Sequence, residues 1–302
     1  MGQKKLISVL GPTAVGKTAL AIALAAHFET EVLSCDARQF FKEMTIGTAV
    51  PTADQLAAVT HHFIQHKSIF NSYSVGHFES DARSVLDALF QKKDIALLVG
   101  GSGLYEKAVT EGLDYFPKTT AETRKKLNKI YAEQGITPLQ QQLQKADPAY
   151  CDEVDLKNAK RLIRALEVSI DTGAPYSSYR KKKVDKRDFE TLRIIIDIPR
   201  TRLCDRINRR VDQMFDQGLQ SEAEKLYPHR NRNALQTPGY RELFLYLEGK
   251  IDLGSAKAAI KKNTRRYAKR QMTWLRNQIR EAQWHGPPQF EKIVSVIAAK
   301  MT

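Results

Sequence analysis

Three cysteines are all that this 302-residue chain contains, and Cys35, Cys151 and Cys204 stand far apart with no C-x-x-C spacing. That excludes a disulfide framework, speaks against a zinc site and fits a reducing compartment. Long apolar runs are absent as well. The first one, in "MGQKKLISVLG", is too short for a signal-peptide core and leads into a glycine-rich loop in place of a cleavage site. No stretch approaches the roughly 20 apolar residues of a membrane span, so a cytoplasmic protein with no membrane partner is expected. Internal repeats and low-complexity segments are missing too. Acid is in deficit, with 34 Asp and Glu against 48 Lys and Arg and a formal net charge of +14 at pH 7. An excess of that size suits a polyanionic partner, above all nucleic acid.

What is present begins with "LGPTAVGKTAL", which fits G-x-x-x-x-G-K-[ST] over Gly11, Pro12, Thr13, Ala14, Val15, Gly16, Lys17 and Thr18. Glycines let backbone N–H groups turn inward on phosphates, the lysine neutralises them, and the terminal hydroxyl suits Mg²⁺. The loop selects a diphosphate-like group without saying whose. Its flanks read strand, loop, helix: "KLISVL" before and "KTALAIALAAHF" after. "EVLSCD" (31–36), "DIALLVGG" (94–101) and "TLRIIIDIP" (191–199) are further buried-type runs. Their alternation with helical segments predicts an α/β fold with a parallel, P-loop NTPase-like sheet flanked by helices, whose strand ends gather the P-loop, Asp36 and Gly100–Ser102 in one crevice. Between them, residues 118–187 are charged and helical in character. They are expected to form a helical insertion in a core made of 1–117 and 188–302.

After Pro199 the chain reads as helix nearly to its end. "RTRLCDRINRRVDQMFDQGLQSEAEKL" repeats apolar residues at three and four spacing. A second long helix is expected from about Ser255 to Gln283, with Ile260, Tyr267, Ala268, Trp274, Leu275 and Ile279 inward. Around them Lys261, Lys262, Arg265, Arg266, Lys269, Arg270, Arg276 and Arg280 have no acid among them. Exposed helices of ordinary stability interleave acids, so this stripe points to RNA phosphates.

An ATPase would need a second acid at a strand end, and the candidates are Asp36 and Asp197, the latter a weak one because "IP" follows it. On position alone Asp36 reads equally as a catalytic or a turn residue. His61, His62 and His66 lack a fourth ligand at convincing spacing, so a packing or surface role is expected of them.

The motifs "GPTAVGKT", "SCDARQFF" with "MTIGTA", "LLVGGSGLY", "KRLIRALEV", "DRINRRVDQM", "QTPGYRE" and "NTRRYAKRQMTWLR" resemble, in order and spacing, those of the bacterial tRNA dimethylallyltransferases, also called tRNA isopentenyltransferases. The resemblance covers nearly the whole chain. It implies that the bound diphosphate is dimethylallyl diphosphate, and that the prenyl group goes to the exocyclic N6 of the adenosine just 3′ of the anticodon. Asp36 would be the general base, with Thr13, Lys17 and Arg210 on the diphosphate and Mg²⁺ held through Thr18; whether Arg209 or Arg210 faces inward stays open. The target adenosine has to be flipped from the anticodon loop to reach such a site.

The tRNA anticodon stem-loop would be met by Asp36, Ala37, Arg38 and Gln39, by Ser102, by Arg124, and by Lys160, Arg161, Leu162, Ile163 and Arg164. Further along, the resemblance implies contacts from Gln236, Gly239, Tyr240 and Arg241, and from Thr264, Arg265, Arg266, Lys269, Arg270 and Gln271. Ala37, Phe40 and Phe41 replace hydroxyl residues usual in that family, which removes hydrogen bonds to the acceptor base. Within the insertion, Leu162, Ala165 and Leu166 also fit the buried face of an amphipathic helix, and "RKKKVDKR" (180–187) reads as its solvated end. A monomer is expected. Two other readings remain on the residues alone: an ATP-driven P-loop RNA-binding protein, and a prenyltransferase of free adenine nucleotides, against which the basic helix and the full insertion speak.

Overall fold

The computed structural model describes residues 3–180 and 186–300, so most of the basic run at 180–187 lies outside the described residues. Among the described residues there are six strands: β1 (Lys5–Leu10), β2 (Val32–Ser34), β3 (His61–His62), β4 (Ile95–Gly100), β5 (Glu190–Ile196) and β6 (Gln283–His285). They form one sheet in the order β3-β2-β4-β1-β5-β6, with every neighbouring pair parallel. Strands buried on both faces carry apolar residues at successive positions. In β1 all six residues are buried. Leu6 and Leu10 pack on one side of the sheet with Leu33, Phe40 and Ile195, while Ile7 and Val9 pack on the other with Leu24, Ile194 and Ile207. Each such side chain contributes about 1.5–3 kcal/mol by leaving water.

The helices are α1 (Lys17–His27), α2 (Ala53–Ala58), α3 (Val75–Phe90), α4 (Gly103–Glu111), α5 (Ala121–Gln134), α6 (Thr137–Ala146), α7 (Pro148–Glu153), α8 (Ala159–Thr172), α9 (Arg200–Asp216), α10 (Leu219–Leu226), α11 (Tyr240–Leu247), α12 (Leu253–Gln278) and α13 (Phe290–Ala298). None among the described residues is long and apolar enough to cross a membrane.

Two compact units divide the chain, one of Met1–Glu111 with Lys186–Thr302 and one of Gly112–Asp185. The second holds α5 to α8 around Leu127, Leu139, Leu143, Leu162 and Leu166. Its buried Glu167 carboxylate accepts from Arg124 Nε and Nη2 at 2.6 Å each and from Arg164 Nη1. Burial pushes the Glu167 carboxyl up, but hydrogen bonds from the two arginines outweigh it and hold the pKa below its ordinary value.

Two expectations about the C-terminal helices change. The amphipathic stretch after Pro199 is broken between α9 and α10 by Gly218, whose φ of +97° suits glycine. The long basic helix ends at Gln278, short of Gln283, because Ile279 turns extended and Gln283–His285 pairs with β5 as an edge strand.

Candidate active site

The P-loop is shaped by its neighbours as much as by its glycines. A Cβ on Gly11 would lie 2.7 Å from the Ile196 carbonyl, so only glycine lets the chain leave β1 beside β5. At the far end Gly16, at φ +106°, caps α1 and aims that helix's first N–H groups into a cavity of 240 Å³. Thr13, Lys17, Thr18 and Asp36 line this cavity, with Arg206 and Arg210 from α9 and an apolar wall that includes Val32, Pro51, Ile64 and Val99. Burial lowers the Lys17 ammonium to about 8, and its Nζ donates to the Pro12 carbonyl at 2.9 Å. Arg210 Nη1 donates a long 3.4 Å bond to Thr13 Oγ1, whereas Arg209 is exposed. Of the two arginines, Arg210 is the one on the cavity.

Asp36 follows β2 at the carboxyl edge of the sheet. Its Oδ1 accepts the Arg38 N–H at 3.0 Å, the turn role open to an aspartate here, and its carboxylate still lines the cavity. It also lines a second, smaller cavity of 80 Å³ with Arg38, Gly47, Thr48, Ala49, Thr237, Gly239, Thr264 and Tyr267. Thr13, Asp36, Thr48, Ala49 and Arg210 are common to both cavities. A carboxylate therefore stands at the junction of a cationic, N–H-rich compartment and a compartment with aromatic and polar walls. That arrangement can stabilise a departing anion on one side and take a proton on the other.

Several expected RNA contacts are placed elsewhere. Leu162 and Ile163 are buried, the former in the centre of the insertion core, because the helical period turns them inward while Lys160 and Arg161 stay exposed. Arg124 and Arg164 are engaged with Glu167. Tyr240 is fully buried, its hydroxyl donating to Glu222 Oε1 at 2.6 Å. Gln271 is 7% exposed and braces two loops: its Oε1 accepts the Thr13 N–H and its Nε2 donates to the Gly101 carbonyl, each at 3.0 Å. Gly239 is buried and its N–H donates to Glu242 Oε2 at 2.8 Å. Phe40 and Phe41 are core residues, Phe40 stacked on Phe78 at 5.3 Å, so the absence of hydroxyls there takes nothing from the cavity. Ala37, Arg38, Gln39 and Ser102 are partly exposed, and Gln236 and Arg241 exposed.

The basic helix is less unpaired than its sequence implies. Asp212 of α9 pairs with both Lys257 and Lys261 at 2.8 Å, Asp197 pairs with Arg276 at 2.7 Å, and Arg265 donates to Asn208 Oδ1 at 2.6 Å. Asp197 is thereby turned away from a metal-holding role. Among the described residues Lys262, Arg266, Lys269 and Arg270 make no ion pair and are exposed. Lys262, Arg266 and Lys269 rim a separate 710 Å³ cleft between α9 and α12. Two of the three histidines pack away from the site, His62 Nε2 meeting Glu31 Oε2 at 2.5 Å and His66 lying edge-on against Phe40, Phe63 and Tyr73, whereas His61, its Nδ1 2.8 Å from the Val59 carbonyl, lines the 240 Å³ cavity.

Arg206, which no motif singles out, and Tyr267, expected only in the inward stripe of its helix, are further site residues. Each lies one helical turn before an expected site residue, Arg210 and Gln271, and the i,i+4 rule is the signal that points to it. Tyr267 faces Asp36 and Arg38, and burial pushes its hydroxyl up to about 12.

Comparison with known proteins gives the family and the fold. The family model described as IPP transferase matches residues 39–278. A tRNA dimethylallyltransferase of Christiangramia forsetii is 55% identical over 271 residues, 90% of each chain. The crystal structure of a full-length tRNA isopentenylpyrophosphate transferase from Bacillus halodurans superposes with a TM-score of 0.73 at 36% identity, covering 99% of this chain and 97% of that one. A eukaryotic dimethylallyltransferase acting on tRNA shares the fold, with a TM-score of 0.81 at 24% identity over 98% of this chain and 77% of its own.

Proposed function

We propose, since this chain belongs to the IPP transferase family, that it transfers the dimethylallyl group of dimethylallyl diphosphate to the N6 amine of the adenosine 3′-adjacent to the anticodon of tRNA. The observation that carries this is the shared wall of the two cavities, where Asp36 and Arg210 belong to both.

The diphosphate lies against the P-loop N–H groups, with Lys17, Arg206 and Arg210 around it and the five-carbon chain against Val32, Pro51, Ile64 and Val99. Charge on the leaving oxygen grows as the C1–O bond breaks, and these fixed donors stabilise it where it develops. The flipped adenine enters the smaller cavity beside Tyr267 and Arg38. Its N6 lone pair forms the new bond to C1, the C1–O electrons leave with diphosphate, and the N6 proton passes to the Asp36 carboxylate. An aromatic amine is a weak nucleophile, so loss of that proton during bond formation is where a base helps.

Mg²⁺ fits the cavity's chemistry, because Thr18 opens α1 beside the expected diphosphate and all its ligands would be oxygens: the hydroxyl, the diphosphate and water. When bound it would neutralise charge on the leaving diphosphate. Lys160 and Arg161 on the insertion, and Lys262, Arg266, Lys269 and Arg270 on α12, are exposed, make no ion pair among the described residues and can offer charge to RNA phosphates. The protein acts as a monomer in the cytoplasm.

Incubation with labelled dimethylallyl diphosphate and tRNA tests the assignment. Label in the RNA is expected; ATP turnover without label in RNA, or label only in free adenine nucleotides, would refute it.

A further inference from the structure

Glu222, on α10, is partly buried and makes no ion pair among the described residues. Its carboxylate is spent on backbone instead. Oε2 accepts the N–H groups of Thr45 at 3.0 Å and Ile46 at 2.8 Å, and Oε1 accepts that of Gly47 at 2.9 Å together with the Tyr240 hydroxyl at 2.6 Å. Three successive N–H groups pointing to one place form a concave positive site that selects an anion. A carboxylate has two oxygens and about four acceptor positions, and here it meets four donors.

The turn so held is also a wall of the reaction site. Residues Gly47, Thr48 and Ala49 line the small cavity, and Thr48 and Ala49 line the diphosphate cavity as well. Ala49 stands at φ +52°, a left-handed conformation unusual for a residue with a Cβ, so the turn is held against its local preference. From the other side Gln39 Nε2 donates to the Thr48 and Ala49 carbonyls at 3.2 and 2.9 Å, while Gln39 Oε1 accepts from Ser34 Oγ at 3.3 Å. Ser34 Oγ in turn accepts the Asp36 N–H at 3.4 Å. Hydrogen bonds on either side of the turn, joined by its backbone, thus link α10 to the aspartate at the cavity junction. Leu219, Ala223 and Leu226 anchor α10 in the core, which makes it a fixed post for that chain. Gly47 cannot vary without disturbing it, since a Cβ there would lie 2.5 Å from the Tyr240 ring.

We propose that Glu222 is a positioning residue for prenyl transfer, holding the Thr45–Ala49 turn and through Gln39 the Asp36 loop in the geometry the acceptor base needs. This rests on the transferase reading above and concerns a residue that lines neither cavity. Glu222→Gln is near-isosteric, but it leaves one acceptor oxygen and turns an NH₂ toward backbone donors. The expected single-turnover rate of transfer from labelled dimethylallyl diphosphate to tRNA, with both substrates saturating, is about ten- to a hundredfold below the unsubstituted protein. Affinity for inorganic pyrophosphate should stay within about twofold, because the P-loop contacts are untouched. Amide hydrogen exchange over 44–49 should quicken at least about tenfold.

Faster exchange with an unchanged rate would overturn the proposal, and so would unchanged exchange. A rate loss accompanied by an equal loss of pyrophosphate affinity would also overturn it, by showing general loosening of the site. Should Glu222→Gln fail to fold, as judged by its melting curve, Tyr240→Phe removes one of the four donors and should shift rate and exchange the same way by a smaller factor. If the unsubstituted protein transfers no label to RNA, the transferase reading fails by itself, and the exchange comparison still decides whether Glu222 holds the turn.

Discussion

Gln271→Leu separates a residue that touches RNA from one that shapes the diphosphate site. Resemblance assigns Gln271 to the tRNA surface, yet its amide is buried and spans from the Thr13 N–H to the Gly101 carbonyl. The approach is close enough that a Cβ on Gly101 would lie 2.1 Å from Gln271 Nε2. Leucine keeps the volume and removes both bonds. The Gly101 carbonyl then stays buried without a donor, at a cost of about 1–3 kcal/mol, while the partly open Thr13 N–H can turn to water or to a diphosphate oxygen. The loop must recover its working shape when diphosphate binds, so the same 1–3 kcal/mol reappears as a rise of about 5- to 150-fold in Kd. Titration calorimetry with inorganic pyrophosphate measures that rise, and fluorescence anisotropy with labelled tRNA, without diphosphate, measures the other substrate. Pyrophosphate affinity should fall and tRNA affinity should stay within about twofold. The reverse outcome would refute the bracing role and return Gln271 to the RNA surface.

Other perturbations follow from named contacts. Lys17, lowered by burial to about 8, is charged below that pH and neutral above it; a bound diphosphate favours the charged form, so pyrophosphate affinity should weaken as pH rises from 7 to 9. Lys17→Met should weaken binding at pH 7 and flatten that dependence, both readable by calorimetry. Lys269→Ala with Arg270→Ala should lower tRNA affinity and reduce the slope of log K against log salt by about 0.7–0.9 per lost phosphate contact; an unchanged slope removes α12 from the RNA surface. Arg193→Met strands the buried Glu106 carboxylate, which Arg193 Nε meets at 2.7 Å, and should cost about 3–5 kcal/mol by urea denaturation at pH 7. Burial already raises the Glu106 pKa, and loss of the arginine raises it further; the folded protein then binds the proton more tightly than the unfolded chain, so the deficit should shrink between pH 7 and pH 5.

What could be read from the sequence was what local signals encode. The P-loop glycines, the apolar runs of β1, β4 and β5, and the shift to charged helices in the insertion all act within a few residues of themselves. Strands of two and three residues, β3 and β6, have no periodicity to read, and β6 exists only because β5 offers an open edge. Side-chain direction was the larger gap. A shared motif carries residue types to a place but does not say which way they point, so Tyr240 and Gln271 were assigned to RNA although both are buried. Charge pairing was hidden for a related reason: α12 has no acids of its own until Glu281, beyond its end, and is partly neutralised by Asp212 on α9 and Asp197 beyond β5. Glu222 carries no readable signal, because three of its four partners are backbone N–H groups more than 170 residues away and the fourth is the hydroxyl of buried Tyr240.

The role of Asp36 bears most directly on the account as a whole. Single-turnover transfer from labelled dimethylallyl diphosphate to tRNA should be abolished by Asp36→Ala, while tRNA and pyrophosphate affinities, measured on the same preparation, stay within about threefold of the unsubstituted protein. A variant that transfers label at the original rate, or one that no longer binds tRNA, would contradict the assignment of the carboxylate between the two cavities as the base.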